Sequence, residues 1–265
     1  MSTPKTEKKP LSRDKIHALI KDKSIAIHLF DEIDSTSDEA RRIALGGGHA
    51  PALIMASSQS AGRGRMGRSF HSPADTGLYL SYLQKAPHNA ADTVRLTTAT
   101  AVALSLAIED VFGIRTEIKW VNDLLLFGKK VSGILAESFL ADGDRFVIIG
   151  IGVNLATEDF PDDIKARATS LGVDADNREE LAAAIINRLS AYCEYPQNPE
   201  IARIYKERSA VLQKKVWLYT KNERISAQAE DIKEDGTLVV RLSSGEIREL
   251  HSGEITLRFD DGKEI

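Results

Sequence analysis

Cysteine is almost absent from this chain of 265 residues. Its one cysteine, Cys193, has no second cysteine with which to form an intrachain disulfide, and there is no CxxC pair that could bind zinc. Disulfides form in oxidising compartments and are rare in the cytosol. The cysteine content therefore predicts a reducing environment, and we expect a cytoplasmic protein.

Long apolar runs are also missing. The longest, Phe146–Val153, is interrupted by Gly150 and Gly152 and is far shorter than the ~20 residues that a membrane-spanning helix needs. The N-terminus, MSTPKTEKKPLS, lacks the apolar core of a secretory signal. We therefore expect no membrane partner, and we predict that residues 1–24 form a solvated tail.

The excess of positive charge that is typical of proteins coating nucleic acid is absent as well. Lysine and arginine total 35 against 39 aspartates and glutamates, and the formal net charge is -4. This balance opposes a surface built to neutralise the phosphates of a duplex. Any contact with nucleic acid would need a local basic patch.

What is present is a mixture of strand and helix patterns. Segments 25–33, 52–57 and 78–83 have the short apolar runs of strands. Residues 96–107 repeat apolar side chains at the three- and four-residue spacing of a core helix. Residues 116–154 consist of short apolar runs separated by turn residues, which predicts antiparallel hairpins.

A second region of short strands follows. Residues 215–259 have apolar runs separated by turn signals at Asp235-Gly236 and Ser244-Gly245, a pattern typical of a small barrel. Because a typical domain contains about 150 residues, the chain is long enough for one large domain and one small one. We predict a large domain over residues 25–210 and a small one over residues 211–265.

The segment GRGRMGR, Gly62–Arg68, lies between two predicted strands. Its glycines let backbone amides approach a ligand, and its arginines are fork-shaped donors for phosphate or carboxylate. The spacing does not match the Walker pattern GxxxxGK[ST], which excludes an ordinary P-loop. Composition alone leaves two alternatives to a polyphosphate site, namely a flexible basic surface loop and a nucleic-acid contact.

Two further segments carry polar residues that could serve a site. KWVND places Asn122 and Asp123 at the predicted end of a strand, although an Asn-Asp pair there is more often only a turn. GKK places Lys129 and Lys130 in a predicted hairpin turn, where lysines are usually solvated. Taken singly, these segments do not distinguish a site from a surface.

Three segments together carry a resemblance to a known family. GRGRMGR, KWVNDLLLFGKKVSGILAE at 119–137 and GIGVN at 150–154, in this order and spacing, resemble the biotin-protein ligases. The resemblance implies an α+β fold with a mixed, largely antiparallel sheet and helices, of the class II synthetase-like type, followed by a small C-terminal SH3-like β-barrel. It also implies a two-step reaction. ATP and the biotin carboxylate give biotinyl-5'-AMP and pyrophosphate, and a lysine of a biotin carboxyl carrier domain, such as that of acetyl-CoA carboxylase, then attacks the mixed anhydride.

The resemblance also assigns residues to the site. Arg65 and Lys130 would stabilise the acyl-phosphate, and Asp123 would orient the incoming lysine or accept its proton. The residues that match the family's biotin contacts are Ser35, Thr36, Ser37, Gln59, Arg63, Gly64, Arg65, Lys130 and Gly133. Those that match its nucleotide contacts are Arg63, Arg65, Arg68, Asn122 and Asn154. Ser37 replaces the family's usual asparagine, so the amide's contact must come from a shorter hydroxyl or be lost.

The expected small molecules are ATP, the substrate biotin and Mg²⁺. Because Mg²⁺ commonly binds substrate phosphates with few protein ligands, no metal ligand is predicted. Some family members carry an N-terminal helix-turn-helix domain, but only 24 residues precede the first predicted strand. We therefore expect a monofunctional ligase that binds a carrier domain and no DNA.

Two alternatives to this function stay open. A lipoate- or octanoate-transferring enzyme on a related fold would bind an apolar chain in place of a ureido ring. A non-enzymatic nucleic-acid-binding protein would use the basic loop and the barrel, although the acidic balance and the lack of interleaved aromatics oppose it.

Overall fold

The computed structural model describes residues 10–86, 93–195, 198–219, 224–251 and 254–257. The predicted tail at residues 1–9 and the predicted end of the barrel at residues 258–265 lie outside these ranges. None of the described helices is long and apolar enough to cross a membrane.

A seven-stranded sheet forms the centre of the larger part of the chain. Its order is β1-β2-β3-β7-β6-β5-β4. β1 and β2 are parallel because a helix connects them, and every other pair in the sheet is antiparallel. The mixed, largely antiparallel sheet is thus confirmed. The strands are β1 Ala26–Ile33, β2 Ala52–Gln59, β3 Gly77–Ala86, β4 Glu117–Lys119, β5 Asp123–Leu126, β6 Lys129–Ala141 and β7 Asp144–Asn154.

The described residues form five α-helices, and three of them cover both faces of the large sheet. Along β2, Leu53 and Met55 belong to one apolar cluster and Ala52 and Ile54 to another, as the two-residue period of a strand requires. One helix, α2, packs on the second face, and two others, α3 and α4, pack on the first. The helices are α1 Arg13–Leu19, α2 Thr36–Leu45, α3 Thr93–Phe112, α4 Arg178–Glu194 and α5 Pro199–Glu207.

A five-stranded antiparallel sheet forms the C-terminal region, in the order β11-β10-β9-β8-β12. Its apolar residues Val216, Ala227 and Val240 join the same buried cluster as the large sheet. The predicted α+β fold with a small C-terminal β region is therefore confirmed. The proposed domain boundary near residue 210 falls between α5 and the first of these strands. The strands are β8 Lys215–Tyr219, β9 Arg224–Ile232, β10 Leu238–Leu242, β11 Ile247–Leu250 and β12 Glu254–Leu257.

The prediction of a solvated tail is wrong for residues 13–20, which fold into α1 and its C-cap. Ser12 caps α1, because its Oγ accepts a hydrogen bond from the Lys15 amide at 3.3 Å. Ile16 and Ile20 are fully buried in the main core, where α1 packs against α4. Ile16 and Ile20 have the four-residue spacing of one helix face, but one such pair in a short polar segment is too little to establish a period. Their burial depends on a helix that lies more than 150 residues away in the chain.

Because α1 is buried against the core, shortening one of its buried side chains should lower the stability of the protein. Replacing Ile16 with alanine removes a fully buried side chain and should lower the free energy of unfolding by roughly 2–3 kcal/mol. Leu19→Ala on the same helix is the matched control, because the Leu19 side chain is 42% exposed. Urea denaturation of both variants checks this, and equal midpoints would contradict the docked helix.

Candidate active site

A cavity of about 270 Å³ lies against the large sheet, near the lower limit of pockets that bind small molecules. It is bounded by the loop between β2 and β3, by the start of α2, by residues 119–135 and by the segment that follows β7. We call it the central cavity. All thirteen sequence-predicted site residues line it, namely Ser35, Thr36, Ser37, Gln59, Arg63, Gly64, Arg65, Arg68, Asn122, Asp123, Lys130, Gly133 and Asn154.

The segment Gly62–Phe70, which we call the arginine loop, folds back on itself. The Gly64 amide donates to the Arg68 carbonyl at 2.7 Å, and the Phe70 amide donates to the Gly62 carbonyl at 2.8 Å. Met66 at its tip has a φ of 56°, in the left-handed region, and its side chain is 76% exposed. These bonds give the loop a defined shape, with its arginines on the cavity wall.

Arg65 is held against the KWVND segment. Its Nη1 donates to Asn122 Oδ1 at 3.0 Å, and Asn122 Nδ2 donates to the Ile134 carbonyl at 3.1 Å. The Ile134 amide donates in turn to the Asn122 carbonyl at 2.9 Å. Asn122 is thus fixed to β6 and orients Arg65.

The predicted strand end at Asn122 and Asp123 is wrong. β4 ends at Lys119, and Asp123 is the first residue of β5. The residues between β4 and β5 are anchored to the C-terminal region, because Trp120 Nε1 donates to the Gly236 carbonyl at 2.8 Å. Burial raises the pKa of Tyr205 well above its usual value, so its hydroxyl stays protonated and donates to the Val121 carbonyl at 3.2 Å.

Lys130 and Asp123 form an ion pair at the cavity wall, with 2.7 Å between Nζ and Oδ1. The prediction that Lys130 lies in the hairpin turn is wrong, because β6 begins at Lys129. The turn consists of Phe127 and Gly128, both with positive φ. Successive residues of a strand point to opposite faces, so Lys130 lines the cavity while Lys129 is exposed.

The corner between β1 and α2 presents a buried group of hydroxyls. Ser35 caps α2 as predicted, accepting from the Asp38 amide at 3.4 Å. Gln59 Oε1 accepts from the Thr36 amide at 2.9 Å and from its hydroxyl at 3.1 Å. Ser81, which the sequence did not single out, hydrogen-bonds both Thr36 Oγ1 and Ser37 Oγ. Ser37 therefore belongs to a network of small polar groups that faces the cavity.

Three glycines without side chains form the floor of the cavity. Gly133 on β6 pairs directly with Gly152 on β7. A Cβ at Gly152 would lie 2.4 Å from the Phe70 ring, and one at Gly150 would lie 2.7 Å from Ser37 Oγ. The Phe70 ring thus rests on the glycine floor. Phe70 was missed because one aromatic residue at the end of a loop carries no periodic signal.

The segment after β7 was also missed as part of the cavity. Asn154 Nδ2 donates to the Thr169 carbonyl at 3.1 Å, and the Leu171 amide donates to the Asn154 carbonyl. The segment closes beside β6, where the Lys130 amide donates to the Arg167 carbonyl at 2.8 Å. It is irregular, so neither helix nor strand period could reveal it. Its cavity-lining residues are Phe160, Ile164, Arg167 and Ala168.

Arg63 reaches the cavity wall, but its guanidinium is engaged by two carboxylates. Nη1 and Nη2 bind Glu137 on β6 at 2.9 and 2.8 Å, and Nη1 also binds Asp38 on α2 at 2.9 Å.

The charge of the cavity wall suits an anion. Among the described residues, the lining contains one carboxylate, Asp123, and six lysines and arginines. Fixed cations in a partly enclosed site stabilise negative charge more strongly than the same groups in water. Two of these cations, Arg63 and Lys130, are paired with carboxylates. The other four are Arg65, Arg68, Lys119 and Arg167.

Two family models match the chain. The model of the biotin/lipoate A/B protein ligase family matches residues 29–154, which contain most of the residues that line the cavity. The model of the biotin protein ligase C-terminal domain matches residues 214–258.

Individual relatives agree with these matches. The chain is 34% identical over 264 residues to the bifunctional ligase/repressor BirA of Bacillus subtilis, covering 94% of this chain and 81% of that protein. It is 32% identical to the biotin--[acetyl-CoA-carboxylase] ligase of Paracoccus denitrificans, covering 80% and 92%.

Among solved structures, the biotin protein ligase from Aquifex aeolicus in complex with biotin and ATP superimposes with a TM-score of 0.75 at 30% identity. The match covers 88% of this chain and 98% of that one. With curated relatives above 30% identity along most of their length and a shared fold, the chain belongs to the biotin protein ligase family.

Proposed function

We propose that the protein is an ATP-dependent ligase that adenylates biotin to biotinyl-5'-AMP and transfers the biotinyl group to one lysine of a biotin carboxyl carrier domain. The observation that carries this proposal is the central cavity. Its lining combines a buried corner of hydroxyls and an amide with Arg65 and the Lys130–Asp123 pair. A molecule with a polar ring system at one end and a carboxylate at the other complements this arrangement.

The ureido ring of biotin would bind at the corner formed by Ser35, Thr36, Ser37 and Gln59. These groups are buried or half-buried and already hydrogen-bonded, Thr36 to Gln59, Ser37 to Ser81, and Ser35 to the Asp38 amide. A ligand that uses them must replace those bonds with its own. A site of this kind rejects ligands that lack matching polar atoms. Gly133 and its cross-strand neighbours would leave room for the fused rings.

In the first step, a carboxylate oxygen of biotin attacks the α-phosphorus of ATP, and the bond to the pyrophosphate oxygen breaks. Arg65 and Lys130 would stabilise the negative charge that accumulates on the α-phosphate oxygens. Arg68 would bind the departing pyrophosphate. Asn122 and Asn154 would support the nucleotide site through their neighbours, because their side-chain amides already donate to the Ile134 and Thr169 carbonyls.

Mg²⁺ would arrive with ATP. The described residues contain no cluster of three side chains suited to hold a metal, and Asp123 is paired with Lys130. The ion would therefore be bound mainly by the nucleotide phosphates and water, as is common for Mg²⁺. When bound, it would neutralise phosphate charge.

In the second step, the carrier lysine attacks the acyl carbon of biotinyl-5'-AMP, an amide bond forms, and AMP leaves. A free lysine has a pKa of ~10.4 and is mostly protonated at neutral pH. Asp123 would accept its proton. The names of the relatives support the carrier domain of acetyl-CoA carboxylase as the acceptor, and the single cysteine supports a reducing compartment, for which we propose the cytoplasm.

Replacing Asp123 with asparagine separates the two steps. We expect transfer from preformed biotinyl-5'-AMP to fall about 10²-fold, within the range for a lost general base, and adenylation to fall less. Because the variant depends on the unprotonated amine, its transfer rate should rise more steeply between pH 7 and 9 than that of the unaltered protein. Single-turnover transfer over this range checks both, and an unchanged pH profile would exclude Asp123 as the base.

Biotin-dependent exchange of labelled pyrophosphate into ATP tests the proposed function. We expect exchange with biotin, and competition by excess lipoate should not reduce it. Exchange that depends on lipoate or octanoate would favour the related transferases. Salt-sensitive binding to polynucleotide without exchange would favour a nucleic-acid-binding protein. No exchange with any of the acids would overturn adenylation.

A further inference from the structure

The two arginines at the start of the arginine loop have different partners. Arg65 donates to a neutral amide oxygen of Asn122, so its positive charge stays available to an anion. Arg63 makes three short bonds to the carboxylates of Asp38 and Glu137, two of them in the bidentate geometry that arginine and carboxylate favour.

The partners of Arg63 neutralise it before any ligand binds. Burial of the Arg63 guanidinium lowers its pKa. The hydrogen bonds to Glu137 and Asp38 and the negative charges of these two residues outweigh burial, so the pKa of Arg63 is raised. Arg41 Nη2 lies 3.7 Å from Glu137 Oε1, so the cluster contains two guanidiniums and two carboxylates and has no net charge to attract a phosphate or a carboxylate ligand. Binding a substrate through Arg63 would first require breaking these charge-assisted bonds.

The same bonds join three elements that shape the central cavity. Asp38 lies in the first turn of α2, three residues after the Ser35 cap, and Glu137 lies on β6, the strand that carries Lys130 and Gly133. Arg63 connects both to the arginine loop. The side chains are only 22–37% exposed, which protects the cluster from full solvent screening.

We propose that Arg63 is a positioning residue and that Asp38 and Glu137 hold it as a clamp, so that the arginine loop presents Arg65 to the substrate. This inference rests on the proposed function for the role of Arg65. The clamp assigns Glu137 and Asp38, which carry no role in the ligand chemistry, to the alignment of the loop.

Hydrogen exchange in the ligand-free protein tests the clamp directly. The Glu137→Gln variant keeps the side-chain size but loses the charge, and we expect exchange at the Gly64 and Phe70 amides to rise about tenfold, as loss of a charge-assisted bond implies. Arg63→Lys should show the same rise, because an ammonium cannot bridge both carboxylates in a fork. Unchanged exchange in both variants would overturn the clamp.

A matched control is available in the C-terminal sheet. Arg241 makes a bidentate pair with Glu230 at 2.6 and 3.0 Å, outside the lining of the cavity. Arg241→Lys removes a similar pair and should leave both the loop amides and the pyrophosphate exchange unchanged. A rise at the loop amides in this control would mean that the effect is a general loss of stability.

Kinetics distinguish a clamp from a direct contact. If Arg63 acts through Glu137, Arg63→Gln and Glu137→Gln should each lower kcat for pyrophosphate exchange about tenfold. Each should change the KM for ATP and the KM for biotin by less than threefold. The double variant should lose no more activity than either single variant. If Arg63 contacts substrate, Glu137→Gln should free it and lower a KM, while Arg63→Gln should raise the same KM. The second pattern would overturn the proposal.

Failure of the proposed function would look different. Absence of pyrophosphate exchange by the unaltered protein would remove the role of Arg65 but would leave the amide-exchange result standing. If the unaltered protein is active but Glu137→Gln leaves hydrogen exchange at the loop amides unchanged, the clamp is overturned and the proposed function stands.

Discussion

Replacing Lys130 with glutamine is expected to lower the rate of biotin-dependent pyrophosphate exchange by about 10²–10³-fold, the loss typical of a preorganised transition-state donor. The Lys130 ammonium lies 2.7 Å from Asp123 Oδ1 at the cavity wall. Its removal deletes a cation from the reacting phosphate and leaves the Asp123 carboxylate facing incoming anions. Both effects raise the barrier to adenylation, so kcat should fall more than KM rises. Initial rates at saturating ATP and biotin measure the loss.

Lys129→Gln is the control for this experiment, because it removes the same charge one residue earlier. Lys129 is exposed and does not line the cavity, so we expect a rate within twofold of the unaltered protein. Equal losses in the two variants would show that only the overall charge of the hairpin matters, and a fully active Lys130→Gln would remove Lys130 from the catalytic residues.

Replacing Arg65 with glutamine is expected to reduce the same exchange by about 10²–10³-fold. Arg65 Nη1 donates to Asn122 Oδ1 at 3.0 Å, and Asn122 is itself anchored to β6. An arginine fixed in this way would bind the α-phosphate without reorganising. Arg65→Lys should recover only part of the rate, because a lysine keeps the charge but lacks the planar fork. The measurement is kcat/KM for ATP and for biotin in both variants.

Met66→Asn is the control at the tip of the arginine loop. Met66 is 76% exposed and has a φ of 56°, a conformation that asparagine tolerates. We expect unchanged kinetics and an unchanged loop. If Arg65→Gln and Met66→Asn lost the same activity, the effect would belong to the loop as a whole and not to the Arg65 guanidinium.

Features set by short-range interactions could be predicted from the sequence. Ser35 forms its hydrogen bond within three residues, and Gly46 is the C-cap of α2, so the strand, corner and helix at residues 26–46 follow from local signals. The antiparallel hairpins β5–β6 and β6–β7 likewise follow from apolar runs separated by turns. The resemblance of three segments to a family then assigned the site.

Features set by long-range packing could not be predicted in this way. Helix α1 is stabilised by contacts with α4, and the cavity segment after β7 has no period of its own. The hydroxyl of Ser81 reaches Thr36 across 45 positions of the chain. Local signals did not suffice to predict these features, because their surroundings are created by elements that come together only in the folded protein.

The sequence by itself determined the order of the elements and the family, since caps, turns and residue periods act over a few residues. It also supplied the arginines and lysines from which a phosphate site could be built. Only the tertiary structure decided which of them reach the cavity and which are paired with carboxylates. The two-residue period of β6 turns Lys130 and not Lys129 toward the cavity. Glu137, 74 positions away, pairs with Arg63, whereas Arg65 donates to the neutral amide oxygen of Asn122.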